Sequence, residues 1–370
     1  MSHTSASWIP VSNPKANYLA HKEEIDDAVA RVMNSGRYLF GPEVEAFEEE
    51  FAEYLGVEHV IAVGSGTDAL LVSLMALGIE QGDKVVVPAL TASATAMAPK
   101  LLGAELVITD VYEEDGTIDS GEVHTAKCAA MIPVHLYGLP CEMNHIYMPE
   151  DHIIEDCCQA AGAKWGGSHV GTLGRAGAFS FFPTKNLSCF GDAGAISTND
   201  GEVDWACRGI RQYGWSIQRN DSDYPGYNSR MSELQAAVLR VKLPYLDKEN
   251  AQRRVLAERY QDGLDGLPTG TFATPEECEH VYHQFVILVP SSLSRSKLIL
   301  DLACNGIEGA VHYPRPIHRQ PAFFNRETLV IAEKLCQSVL SLPMYPELTF
   351  EQQDHVIETV RKFFDSGNGS

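Results

Sequence analysis

The sequence contains no run of 18 apolar residues, so nothing in it reads as a membrane-spanning helix. Residues Met1 to Asn13 are polar and lack the apolar core of a secretory signal. Positive charge is scarce. Lys and Arg total 28 against 50 Asp and Glu, a formal net charge of −22. That deficit argues against a nucleic-acid partner, which needs a basic footprint to displace counterions, and against an anionic membrane surface. The nine cysteines are odd in number and scattered, with no CxxC pair and no Cys/His cluster of zinc spacing. They read as reduced thiols of a cytoplasmic protein, and no metal site is expected.

What is present is a globular composition, 45% apolar and 21% charged over 370 residues. That length exceeds one ordinary core, so a large domain and an appendage are expected. Helical periodicity runs through Ile25, Val29, Val32 and Met33 to Gly36, and again through Val44, Phe47, Phe51 and Leu55 to Gly56. Short apolar runs follow at His59–Val63, Val85–Pro88, Leu106–Thr109, Ala129–Val134, Ile153–Glu155, Ala178–Phe182 and Ala193–Ser197, mostly separated by helical or loop segments. This alternation predicts an α/β fold with a mostly parallel sheet covered on both faces. Ser232 with Gln235, and Thr349 with Gln352, have the spacing of capping boxes, and Pro244 interrupts the helix that Ser232 opens. The expected division is an N-terminal arm over 1–20, a large domain over 21–245, a small C-terminal α+β domain over 246–365 and a disordered tail over 366–370.

Four segments carry candidate chemistry. Gly64-Ser65-Gly66-Thr67 joins a strand to a helix, where backbone N–H groups and hydroxyls make a phosphate site. The same residues also read as a plain helix cap, or as a G-x-G-x-x-A dinucleotide turn. For the latter, Asp83 lies near the required distance but precedes its strand. Ile153-Ile154-Glu155-Asp156 delivers an acid to the end of a strand, placed to hold a protonated ring nitrogen or simply to cap the next turn. Lys185 follows the aromatic run Phe179-Ser180-Phe181-Phe182. A desolvated lysine there is a nucleophile for an aldehyde; the alternative is a packed stem with its charge in water. Asn228 and Arg230 precede the capped helix, placed to reach a phosphate or another subunit, though by themselves they read better as a loop with an N-cap. Together, a phosphate cradle, a ring-nitrogen acid and a strand-end lysine are the three handles of pyridoxal 5'-phosphate (PLP).

In these motifs the sequence resembles the DegT/DnrJ/EryC1/StrS sugar aminotransferases. The resemblance rests on Ser65-Gly66-Thr67-Asp68-Ala69-Leu70, on Glu155-Asp156-x-x-Gln159-Ala160 and on Phe179 through Leu187. It rests further on Asn228-x-Arg230-Met231-x-Glu233-Leu234-Gln235 and on His312-Tyr313-Pro314. It implies a three-layer αβα PLP-transferase of fold type I, working as a homodimer with sites at the interface. By that implication Lys185 forms the internal aldimine, Asp156 pairs with the pyridine nitrogen and Gln159 lies against the ring. Gly66, Thr67 and Ser180 bind the phosphate, and Asn228 reaches it from the partner subunit. Tyr38, His135, Arg230, His312, Tyr313 and His318 are the implied substrate contacts.

Two positions depart from the family pattern: Ala92, where an aromatic usually follows the Thr, and Cys158, where Ala is common. The implied reaction moves an amino group from an amino acid, expected to be L-glutamate, to a nucleotide-linked keto-deoxysugar. The His312–His318 run favours C3 over C4. Alternatives are a cyclic-polyol ketone as acceptor, or a non-catalytic PLP sensor of the same fold. A diphosphate needs local cations, for which Arg211, Arg219, Arg230, Arg315 and Arg319 are candidates. His283 is a further possible substrate contact.

Overall fold

The computed structural model describes residues 8–121, 123, 125–215 and 220–367. Eleven helices are described. The first seven are α1 (Pro14–Ala20), α2 (Lys22–Ser35), α3 (Pro42–Leu55), α4 (Gly66–Ala76), α5 (Ser93–Leu101), α6 (Gly201–Ile210) and α7 (Glu233–Lys242). The last four are α8 (Leu246–Leu264), α9 (Ser292–Cys304), α10 (Val330–Ser338) and α11 (Phe350–Asp365). The strands up to the middle of the chain are β1 (His59–Val63), β2 (Lys84–Pro88), β3 (Glu105–Thr109), β4 (Ala130–Met131) and β5 (Ile154–Asp156). The short β6 (Lys164–Trp165) and β7 (Ser168–His169) precede β8 (Ala176–Ser180) and β9 (Gly194–Thr198). The remaining strands are β10 (Gly270–Thr271), β11 (Cys278–Glu279), β12 (Phe285–Leu288) and β13 (Val339–Leu342).

The large sheet has two hydrogen-bonded halves, β3-β2-β4 and β5-β8-β9-β1. Parallel bridges Met131↔Ile153 and Val134↔Asp156 join them between β4 and β5. Of the seven strands only β9 runs against the rest, pairing antiparallel with both β8 and β1. Helices cover both faces, as continuous apolar strands require. On one face Phe47 and Phe51 of α3 meet Phe179 of β8 and Phe181 just beyond it edge-on, with ring centroids 5.2 Å (Phe51–Phe179) and 5.3 Å (Phe47–Phe181) apart. Since side chains alternate along a strand, this sends Ser180 to the opposite face, where α4 packs. That alternation opens the site beside the α4 N-terminus. A separate apolar cluster gathers α8, α9, α11, β12 and β13 around Tyr260, Phe285, Leu298, Leu340 and Val356.

Several expectations are met closely. Gly36 and Gly56 terminate α2 and α3 at φ 67° and 76°, the left-handed cap that glycine adopts without strain. Thr349 and Gln352 form a complete capping box. Ser232 forms only half of one: its hydroxyl accepts from Gln235 N–H, while the Gln235 side chain accepts instead from Phe190 N–H at 2.9 Å. The expected strand Ala129–Val134 shrinks to two residues, and Ala178–Phe182 starts two residues earlier. Pro244 falls in a 3-10 turn between α7 and α8. None of the nine cysteines forms a disulfide. Most of the expected tail, like the start of the arm, lies outside the described residues.

Candidate active site

A cavity of about 280 Å³ opens at the C-terminal ends of β5 and β8, beside the N-termini of α4 and α5. It brings together Gly66, Thr67, Asp156, Gln159, Ser180 and Lys185. The wall at the start of α4 is built first by Ser65, whose hydroxyl accepts from Asp68 N–H and starts the helix. The first N–H groups of a helix have no acceptor within it, so Gly66 and Thr67 present donors and the positive end of the helix dipole. Gly66 leaves room for the cradle. A Cβ there would meet Cys158 Sγ and Ser180 Cβ, each at 2.7 Å.

Asp156 is only 5% exposed. Its Oδ2 accepts from Thr95 Oγ1–H at 2.8 Å and its Oδ1 from Cys158 N–H at 3.1 Å. Gln159 is fixed at both ends: Oε1 accepts from Tyr137 N–H at 2.6 Å and Nε2 donates to Tyr313 Oη at 2.8 Å. Lys185 follows the turn closed by its own N–H to Phe182 C=O at 2.8 Å. Burial lowers its pKa, with the Cys158 and Asp156 sides opposing that shift. Burial pushes the Cys158 thiol well up, so it stays protonated.

These residues fit PLP on a structural observation. A helix N-terminus faces a pocket whose glycine excludes any Cβ, a carboxylate lies at a strand end, and a lysine with a destabilised charge shares the cavity. The chain belongs to the DegT/DnrJ/EryC1/StrS aminotransferase family. The family model matches residues 20–361. The chain is 41% identical over 367 residues to the dTDP-3-amino-3,4,6-trideoxy-alpha-D-glucose transaminase of Streptomyces venezuelae, covering 96% of each chain. The structure of S. venezuelae DesV in complex with a ketimine intermediate is similar with a TM-score of 0.92 and 40% identity, over 97% of this chain and 99% of that one. NtdA from Bacillus subtilis with bound cofactor PMP gives a TM-score of 0.88 at 30% identity, over 99% of this chain and 87% of that one. The fold is that of the PLP-dependent aminotransferases, and this aminotransferase uses pyridoxal 5'-phosphate.

The other sequence-selected residues lie outside the cavity lining. Within the aminotransferase, His135 is fully buried: its Nδ1 accepts from Cys141 N–H at 3.0 Å, so its Nε2–H donates to Glu155 at 3.0 Å. Glu155 also accepts from the N–H groups of Gly171, Leu173 and Gly174. Although Cys157 completes a metal-like trio with these two, both imidazole nitrogens are committed. His318 is buried against Glu333 at 3.0 Å, and His283 Nδ1 is 3.2 Å from Asn186 Oδ1. His312 Nδ1 is 3.0 Å from Ser341 Oγ, and burial together with the charge of Lys185 lowers its pKa. Tyr313 reaches the site through Gln159. Tyr38 and Asn228 are exposed.

Arg230 lies between the rings of Phe40 and Tyr213, 5.7 and 5.8 Å from their centroids. Arg211 is committed to Glu48 at 2.6 Å and Arg319 to Glu333 at 2.9 Å. Arg315 is exposed, and Arg219 lies outside the described residues. Sequence reasoning missed Thr95, whose only signal was its position four residues after Thr91 near the start of a helix.

Proposed function

We propose that this aminotransferase transfers the amino group of L-glutamate to C3 of a nucleotide-linked keto-deoxysugar. The observation that carries the reading is the cavity that unites Lys185, Asp156, Gln159 and the Gly66–Thr67–Ser180 cradle. The name of the S. venezuelae relative, a transaminase of a dTDP-linked 3-amino sugar, supports the substrate class. When bound, PLP supplies an electron sink for the carbanion formed at the amino-bearing carbon.

The residues divide the work. Gly66, Thr67 and Ser180 hold the phosphate. Asp156 keeps the proton on the ring nitrogen, and Gln159, pinned from both ends, lies against the ring. Lys185 would attach the cofactor; once released, its Nζ would move the proton between the amino-bearing carbon of the donor and the cofactor carbon. Burial lowers the pKa of that amine, which favours the basic form the proton transfer needs. Asn228 completes the phosphate site of a partner subunit, and the enzyme works as a homodimer.

The test is to incubate holoenzyme with L-glutamate and either a dTDP-linked 3-keto- or a 4-keto-deoxysugar, and to identify products by mass and NMR. The expected result is a C3 amine and 2-oxoglutarate. Amination of the 4-keto sugar alone would contradict the C3 assignment. Release of 2-oxoglutarate with neither sugar aminated would contradict the acceptor class.

A further inference from the structure

Asp156 is a buried carboxylate that no cationic side chain among the described residues pairs with directly. Its carboxylate is held instead by a chain of hydroxyls. Thr91 Oγ1 lies 2.8 Å from Thr95 Oγ1, and Thr95 Oγ1–H donates to Asp156 Oδ2 at 2.8 Å. The three side chains are 2%, 0% and 5% exposed, in that order. Direction follows from proton counting. A threonine hydroxyl has one hydrogen, and Thr95 spends it on the carboxylate, so Thr91 is the donor to Thr95. Each donation polarises the next, so the chain delivers more positive character to Oδ2 than one hydroxyl would.

The second carboxylate oxygen is addressed from the other side by Cys158 N–H at 3.1 Å. The backbone supports the arrangement: α5 starts at Ser93 with Ala92 as its N-cap, and no side chain caps it. Its first N–H groups therefore add to the positive field beside Thr95. Thr91 and Thr95 straddle this start four residues apart, so one turn brings both hydroxyls to one side. Thr91 also lines the cavity.

We propose that the Thr91–Thr95 relay is the positioning device for Asp156: it holds the carboxylate in the one rotation that would meet the cofactor ring nitrogen. The inference rests on the PLP reading of the cavity. Thr95 acts through Asp156 and touches neither substrate nor cofactor in this role. Thr91 sets the direction of the Thr95 hydroxyl.

The test is cofactor affinity, measured by equilibrium dialysis of PLP against wild type and Thr95→Val, Thr95→Ser and Thr91→Val. A hydrogen bond to a charged group is worth about tenfold or more in an equilibrium constant. Thr95→Val is expected to raise the PLP dissociation constant about tenfold, with the thermal midpoint of the cofactor-free protein within a few degrees of wild type. Thr95→Ser restores the affinity, because serine carries the same donor. Thr91→Val falls between the two. The donor half-reaction with L-glutamate is expected to lose kcat while KM for glutamate is unchanged.

An affinity for Thr95→Val within twofold of wild type would overturn the relay. So would failure of Thr95→Ser to rescue, which marks the site as one of packing. Absence of PLP binding in wild type would overturn the cofactor reading itself, a distinct result.

Discussion

Among the described residues, desolvation lowers the pKa of two lysines, the half-buried Lys185 and the buried Lys242. Lys185 shares a pocket with Asp156 and Gln159. Lys242 is 4% exposed, donates to Ser188 Oγ at 3.3 Å and lies 5.0 Å from the centre of the Phe190 ring. Burial pulls its pKa down to about 8. A perturbed lysine is therefore not by itself a catalytic one; the neighbours decide.

The Lys242 shift also fixes a pH dependence. The folded pKa lies below the unfolded value near 10.5, so between them the unfolded chain binds more protons and stability rises with pH. Below pH 8 both states are protonated, and the folded state carries the full penalty, on the order of 3 kcal/mol. Lys242→Met is expected to melt higher than wild type at pH 7, with the gap closing as pH rises from 8 to 10.5. Paired thermal scans at pH 7 and pH 10 check this, and a gap that does not change with pH would contradict the assignment.

At the scale of elements, the site depends on where strands stop and helices start. Alternation through β8 and the residue after it puts Phe179 and Phe181 into the core with α3, leaving Ser180 on the side of α4. Gly66 sets how close α4 approaches. Gly66→Ala pushes a Cβ into Cys158 Sγ and Ser180 Cβ, and overpacking of this kind typically costs about 1–3 kcal/mol. PLP affinity is expected to fall by about one to two decades, while circular dichroism stays that of wild type. Unchanged affinity would remove the phosphate role from this turn.

These elements were largely legible beforehand. The helices over 22–35 and 43–55 and the strand His59–Val63 follow directly from periodicity and terminal glycines, because local sequence determines them. The ends of β4 and β8 were not, since their lengths are set by neighbouring strands. Thr95 was not legible either: a buried threonine in a helix reads as core until the carboxylate it meets, 61 residues away, is placed beside it. Arg211 and His318 misled for the same reason, their partners Glu48 and Glu333 being invisible to local pattern.

At the scale of the whole molecule, the seven-stranded sheet gathers Gly66, Asp156, Ser180 and Lys185 around the C-terminal ends of β5 and β8, but leaves Asn228 exposed and outside the cavity lining. A two-fold homodimer that lends Asn228 across the interface makes a prediction a monomer does not. Lys185→Ala and Asn228→Ala subunits are each expected to be weak alone. Co-refolded, they form heterodimers with one intact site, restoring up to about a quarter of wild-type sites at random pairing. Recovery of no activity above the two parents would contradict the shared site.

The central claim is that Lys185 holds PLP in the cavity beside Asp156. The most direct measurement is borohydride reduction of the PLP-loaded enzyme followed by peptide mapping, with and without prior L-glutamate. The account predicts a reduced pyridoxyl-phosphate adduct on Lys185 in the first sample, and its marked loss in the second as the donor releases the lysine. An adduct on another lysine, or none, would contradict it.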